Sequence, residues 1–135
     1  MKSVHEMDFR VSYADTDRMG VVYYANYLTL FERGRTELFR SRGVRYRDLE
    51  DDYKIYLPVV EAECRYLAPA RYDDLIRIRT WVDEIGGATM VFKYEVVNAE
   101  TGRVLVRGRT KHPFVNKDWR PIRVPVRLKE IFKVF

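Results

Sequence analysis

The sequence predicts an α+β fold in which one long helix covers one face of an antiparallel sheet. Three observations carry that expectation. Apolar or small side chains recur from Tyr27 through Leu30, Phe31, Gly34 and Leu38 at three- and four-residue steps, the stripe of a helix packed on one side. After Leu57 the texture changes to runs that alternate apolar and polar residues, the period of half-buried strands. Short turns rather than helices separate those runs, so successive strands run antiparallel. A chain of 135 residues suits one domain, spanning 1–135, around one core.

In chain order, Phe9, Val11 and Tyr13 alternate as the end of a first strand. Asp15-Thr16-Asp17 turns, Gly20 breaks the chain, and the helix begins near Asn26, whose side-chain oxygen suits a cap on a free first-turn amide. Gly43 suits the left-handed residue that ends a helix. Gly34 lies inside the apolar stripe, where glycine costs about 1 kcal/mol against alanine. That placement predicts another backbone passing close by. The stretch from Tyr46 to Tyr56 is polar and acidic and reads as a loop or a short helical turn.

The strand runs follow. Val59, Val60, Ala62, Cys64 and Tyr66 precede Pro69 and the turn-like Arg71-Tyr72-Asp73-Asp74. Ile76, Ile78, Thr80 and Val82 alternate against Arg77, Arg79 and Trp81. Gly86-Gly87 marks a hairpin, because glycine accepts the positive φ that tight hairpins need. Met90, Phe92, Tyr94 and Val96 form the next run, Asn98 to Gly102 turns, and Val104 to His112 alternates again, with His112 expected at the strand end. PVRLKEIFKVF reads as a brief amphipathic helix with Leu128, Ile131 and Phe132 inward. The helix from Tyr27 is the only element long enough to cover the apolar sheet face. Both sheet edges stay open, which predicts pairing between subunits.

Composition excludes several classes. No apolar run approaches the ~20 residues of a membrane span, and MKSVHEMDFR lacks the apolar stretch of a signal peptide. One cysteine, Cys64, allows no intrachain disulfide and argues against a cysteine metal site. These signs together point to the cytoplasm. His5 and His112 are too few and too scattered for a triad or a metal centre. The net charge of +5 is uneven: residues 101–135 hold ten Lys and Arg against Asp118 and Glu130. That basic third suits a phosphate-bearing molecule, an anionic surface, nucleic acid, or a plainly solvated face. It lacks the interleaved aromatics of single-strand binders and any helix-turn-helix or zinc-finger spacing, so nucleic acid ranks last.

The chemistry-bearing residues gather before the helix. A carboxylate across an amide-rich turn from a helix N-terminus is placed for acyl chemistry. Aspartate also caps turns; on residues alone both roles are open to Asp17, and Asp15 is read as a turn cap. Glu61, on a strand, is the rival carboxylate. Tyr23, Tyr24 and Tyr27 suit an acyl pocket or plain packing, and Glu32 and Arg35 are spaced as a helix pair worth a few tenths of a kcal/mol.

The stretch YADTDRMGVVYYANYLTLFERGR, followed by LPVVEAECRYLAPARYDD, resembles the hotdog-fold acyl-CoA thioesterases of the 4-hydroxybenzoyl-CoA thioesterase type, nearest the bacterial Tol–Pal-associated branch. The similarity runs from Asp8 to about Pro125, and its combination of D-x-D-x-x-G, the aromatic pair, N-Y and E-x-x-R is specific. The resemblance implies an antiparallel sheet wrapped around one long central helix. It further implies homo-oligomers, commonly a tetramer built as a dimer of dimers, with active sites between subunits and neither metal nor other cofactor.

By the same resemblance, Asp17 is the catalytic carboxylate and the backbone amide of Tyr24 holds the thioester carbonyl. Gly20, Asn26 and Tyr27 complete the expected oxyanion and substrate-binding group. In the Tol–Pal branch the Tyr24 position is commonly His, whereas Tyr stands there in the 4-hydroxybenzoyl-CoA branch. Gly86-Gly87-Ala88 replaces basic residues that contact the nucleotide in that branch. Arg120 matches the basic position before the final I-x-V-P, and with Arg123 it is expected to bind coenzyme A phosphates.

The expected function is hydrolysis of an acyl-CoA to free acid and coenzyme A, with Asp17 as nucleophile or general base. The alternative is a non-catalytic module binding acyl-CoA or acyl carrier protein.

Overall fold

The computed structural model describes residues 3–132. Five strands, β1 (His5–Arg10), β2 (Glu61–Tyr66), β3 (Leu75–Gly86), β4 (Thr89–Asn98) and β5 (Val104–Pro113), form one antiparallel sheet in the order β1-β3-β4-β5-β2. The alternation read from the sequence sets its two faces. Ile76, Ile78, Thr80 and Val82 of β3 are buried, and so are Met90, Phe92, Tyr94 and Val96 of β4. The register joins them in rows: Thr80 pairs with Tyr94, which pairs with Gly108, and Phe92 pairs with Thr110. The opposite face is charged, with Glu95 held 3.0 Å from Arg79 and 3.3 Å from Arg107. Gly87, at φ 61°, turns the β3–β4 hairpin as expected.

Helix α1 (Asn26–Ser41) lays Tyr27, Leu30, Phe31, Gly34, Leu38 and Phe39 on the apolar sheet face. Two glycines let it approach. A Cβ at Gly34 would collide with Thr80 and press on Ile78, so side chains of β3, rather than a passing backbone, demand the glycine. Across the interface Gly108 makes room for the Phe31 ring, which stacks on Tyr94 at 4.2 Å. The helix ends in a paired turn: Gly43 at φ 79° donates to the Arg40 carbonyl and Val44 to the Phe39 carbonyl, each at 3.0 Å.

Two helix expectations are corrected. Asn26 is the first helical residue rather than the cap, and Ala25 holds the cap position without a side-chain bond. The Asn26 side-chain amide instead donates across to the Asp15 carbonyl at 3.0 Å. Glu32 and Arg35 form no ion pair, since Arg35 turns inward to the Tyr94 hydroxyl at 3.4 Å.

The remaining segments close the ends of the core. Helix α2 (Tyr46–Asp51) folds back over the C-terminal half of α1 and buries Leu49. Helix α3 (Val126–Ile131) buries Leu128, and Phe132 just beyond it packs on Phe39 at 4.8 Å. Positions 133–135 of the expected C-terminal helix fall outside the described residues. Among the described residues no helix is long and apolar enough to cross a membrane.

Candidate active site

The site begins in the turn between β1 and α1. A single 3-10 turn, Tyr13–Asp15, leads into it. Both Ser12 groups donate to one oxygen of Asp15, the amide at 2.7 Å and the hydroxyl at 2.8 Å, so two donors tie that oxygen to the turn. Asp17 is placed differently. Its amide donates to the Val21 carbonyl and its Oδ1 accepts the Met19 amide, both at 2.8 Å, while Gly20 closes the turn at φ 80°. Its second oxygen, Oδ2, accepts no hydrogen bond from any described residue. Asp17 is therefore a turn cap and a free carboxylate oxygen at once.

The returning limb of that turn runs straight into α1. Tyr23 donates its amide to the Asp15 carbonyl at 2.9 Å, beside the Asn26 side chain on the same oxygen. The backbone N–H groups of Tyr24 and Ala25 have no intramolecular acceptor among the described residues. Helix starts leave such donors open, and they carry partial positive charge. The Tyr66 hydroxyl donates to the Tyr24 carbonyl at 3.0 Å and so fixes the Tyr24–Ala25 peptide. Tyr24 itself is exposed, with its ring edge-on to Tyr66 at 6.3 Å. Tyr27 belongs to the core: its side chain is buried, its hydroxyl bonds the Ala70 backbone, and burial pushes the phenol up to about 12. A cavity of 170 Å³ opens beside this first turn, between Phe9, Asp15, Val22, Asn26, Leu30 and Arg33.

Arg120 and Arg123 are exposed but far away. Val124 donates to the Gly87 carbonyl, which places this segment at the hairpin end of the sheet. Asp17 lies at the other end, where Val21 bridges Arg71 and Val22 donates to the Ala70 carbonyl. Strand β3 separates the two, roughly 35 Å at the usual rise per strand residue. One chain does not bring Asp17 and Arg120 together. Glu61, the rival carboxylate, sits on edge strand β2 between Arg109 and Lys111, 3.6 Å from each. Among the described residues no three His, Cys, Asp or Glu side chains gather as a metal site.

A family model described as the thioesterase superfamily matches residues 19–105. The chain belongs to the thioesterase superfamily. It is accordingly a thioester hydrolase by family, and the five-stranded sheet with its helix is that of the hotdog-fold members. A Bacillus subtilis protein, YneP, is 34% identical over 120 residues, covering 88% of this chain and 86% of its own. The acyl-CoA thioester hydrolase YbgC of Escherichia coli O157:H7 is 40% identical over 91 residues, 67% of each chain. Among solved structures, a DHNA-CoA thioesterase from Staphylococcus aureus superposes with a TM-score of 0.85 at 32% identity, over 97% of this chain and 88% of that one.

Within this thioesterase fold lies a polar network that the sequence did not announce. His112, expected merely at a strand end, is wholly buried. Its Nδ1 lies 3.1 Å from the Leu57 carbonyl, which can only accept, so Nδ1 carries the proton. Its Nε2 then accepts the Thr110 hydroxyl at 2.8 Å, Thr110 accepts the Tyr94 hydroxyl at 2.6 Å, and Tyr94 accepts Arg35. Burial, together with the nearby Arg35 cation, lowers the imidazole to about 4, which keeps it neutral. Nothing in the spacing of these four residues signals the chain of bonds. Tyr66 was likewise hidden, because only the fold carries its hydroxyl to Tyr24.

Proposed function

We propose that this thioesterase hydrolyses acyl-CoA, with Asp17 as nucleophile or general base and the Tyr24 amide as the donor to the thioester oxygen. The observation that carries the reading is the free Oδ2 of Asp17, held by a turn that leads directly to uncommitted amides at the start of α1. A thioester carbonyl is electrophilic, and its thiolate leaves without protonation. As nucleophile, the carboxylate would add to the carbonyl carbon, expel the thiolate and leave an anhydride for water to cleave. As general base, it would take a proton from water, whose oxygen attacks the same carbon. In either route negative charge grows on the carbonyl oxygen, where a preorganised N–H is worth most. The 170 Å³ cavity beside the same turn offers space for the acyl group.

The basic Arg120 and Arg123 would take the coenzyme A phosphates, with guanidinium groups matching phosphate geometry. Their distance from Asp17 in one chain requires a second copy to supply them. That requirement fits the open β2 edge and the exposed Val59, Val60, Tyr66 and Leu67 around it. The reading therefore includes a homo-oligomer, a tetramer of two dimers, with each chain one domain, its sheet curved around α1 as the central helix, and the enzyme at work in the cytoplasm.

The test is steady-state hydrolysis of a panel of acyl-CoAs by wild type and Asp17→Asn. Asparagine keeps an oxygen for the Met19 amide, so the fold should persist while kcat falls by ~10² or more. The alternative, a module that binds acyl-CoA or acyl carrier protein without catalysis, is favoured by the turn-capping role of Asp17 alone. Binding of acyl-CoA with wild-type turnover no faster than the uncatalysed rate would establish it.

A further inference from the structure

Beyond the catalytic turn, the cleft between α1 and α2 is a sizeable feature the mechanism leaves unused. It encloses 570 Å³ and has Arg35, Thr36, Tyr46 and Leu57 among its lining. Arg35 has no carboxylate within 4 Å among the described residues, and its one hydrogen bond, to Tyr94, is long at 3.4 Å. Its guanidinium also stands near enough to act on the Tyr46 hydroxyl, though without a well-formed hydrogen bond, and its other donors meet no carboxylate among the described residues. The Tyr46 hydroxyl is fully buried and has no hydrogen-bond partner. Burial pushes that phenol well above its usual range, so it keeps its proton and remains a donor. An orphaned hydroxyl and a half-buried cation in one cleft are costly unless something accepts from both.

We propose that this cleft is a second ligand site that takes an organic carboxylate, with its oxygens on the Arg35 guanidinium and the Tyr46 hydroxyl. The geometry selects against other anions. Arg40 is bound to Glu37 and Arg45 to Asp48, which leaves Arg35, beside the Tyr46 hydroxyl, and Arg47 as the lining arginines not paired with a carboxylate among the described residues. Glu32, Glu50 and Asp51 line the same cleft and would repel a dianionic phosphate. A single carboxylate matches the planar fork of arginine, and the volume leaves room for an organic body against Leu57 and Thr36. Arg35 is held for the purpose by the bonded chain Tyr94, Thr110 and His112 beneath it. The free acid released by thioester hydrolysis has this chemistry, so the site would register product. That source rests on the thioesterase reading; the binding itself does not.

Titration calorimetry with benzoate and hexanoate, against benzamide, hexanamide and inorganic phosphate, tests the site on the full chain. Saturable binding of the acids but not of the amides or phosphate is expected. Arg35→Lys should weaken it tenfold or more, Tyr46→Phe severalfold, and Asp17→Asn not at all. Circular dichroism reports whether Arg35→Lys folds; if it does not, Tyr46→Phe decides. Absence of saturable acid binding, binding unchanged in Tyr46→Phe, or loss of binding in Asp17→Asn would overturn the proposal. The last result would mean that the acid occupies the catalytic turn. Failure of the hydrolysis reading shows separately, as acyl-CoA turned over by wild type no faster than in buffer.

Discussion

Asp15 and Asp17 are two residues apart and each bonds its own turn through one oxygen. Asp15 takes two Ser12 donors on that oxygen, while Asp17 takes only the Met19 amide. Asp15→Asn should therefore act through stability, lowering Tm with kcat within a few-fold of wild type, as a melting curve beside the rate would show. His112 makes a pH prediction. Its folded value of about 4 lies below the ordinary 6.5. The unfolded chain therefore binds a proton between these values while the folded chain does not. Stability from this group is full above pH 6.5 and is lost as pH falls toward 4, by up to about 3 kcal/mol. Denaturant unfolding across that window should show the slope, and His112→Gln should flatten it. A wild-type midpoint constant from pH 6.5 to 4 would contradict the buried, neutral imidazole.

Between elements, two glycines decide how close α1 comes to the sheet. Gly34→Ala drives a methyl into Thr80, and Gly108→Ala drives one into the Phe31 ring. Each should destabilise the fold by about 1–3 kcal/mol, the scale of an overpacked core, even though alanine is the better helix former at position 34. Urea midpoints measure both, and a more stable Gly34→Ala would contradict the packing.

Such packing was half legible. The stripe on α1 and the alternation in β3, β4 and β5 reveal which face each element buries, because periodicity is local. The turn glycines at 43 and 87 are equally local. What Gly34 meets is not, since Thr80 lies 46 positions along the chain. Asn26 and Arg35 illustrate the same limit: each had a plausible partner on its own helix, and each found a different one across the fold. The candidate site divides likewise. Asp17 and the open helix-start amides are neighbours in sequence and could be read there. The position of Tyr66, the burial of His112 and the separation of Arg120 depend on strand pairing and strand length.

That separation governs the molecule as a whole. Asp17 and Arg120 stand at opposite ends of β3, so a site using both must join two chains. Charge reversal at Arg120 should raise KM for acyl-CoA and reduce its salt sensitivity while leaving kcat nearly intact. Light scattering at micromolar concentration should find an oligomer, and a stable monomer would remove the shared site. The most direct measurement mixes the two defects. Asp17→Asn and Arg120→Glu chains, unfolded together and refolded, are assayed at subsaturating acyl-CoA. Hybrid dimers should hold one intact site each, restoring about a quarter of wild-type activity after random pairing. Activity no higher than the mean of the two separate variants would contradict an active site built from Asp17 of one chain and Arg120 of another.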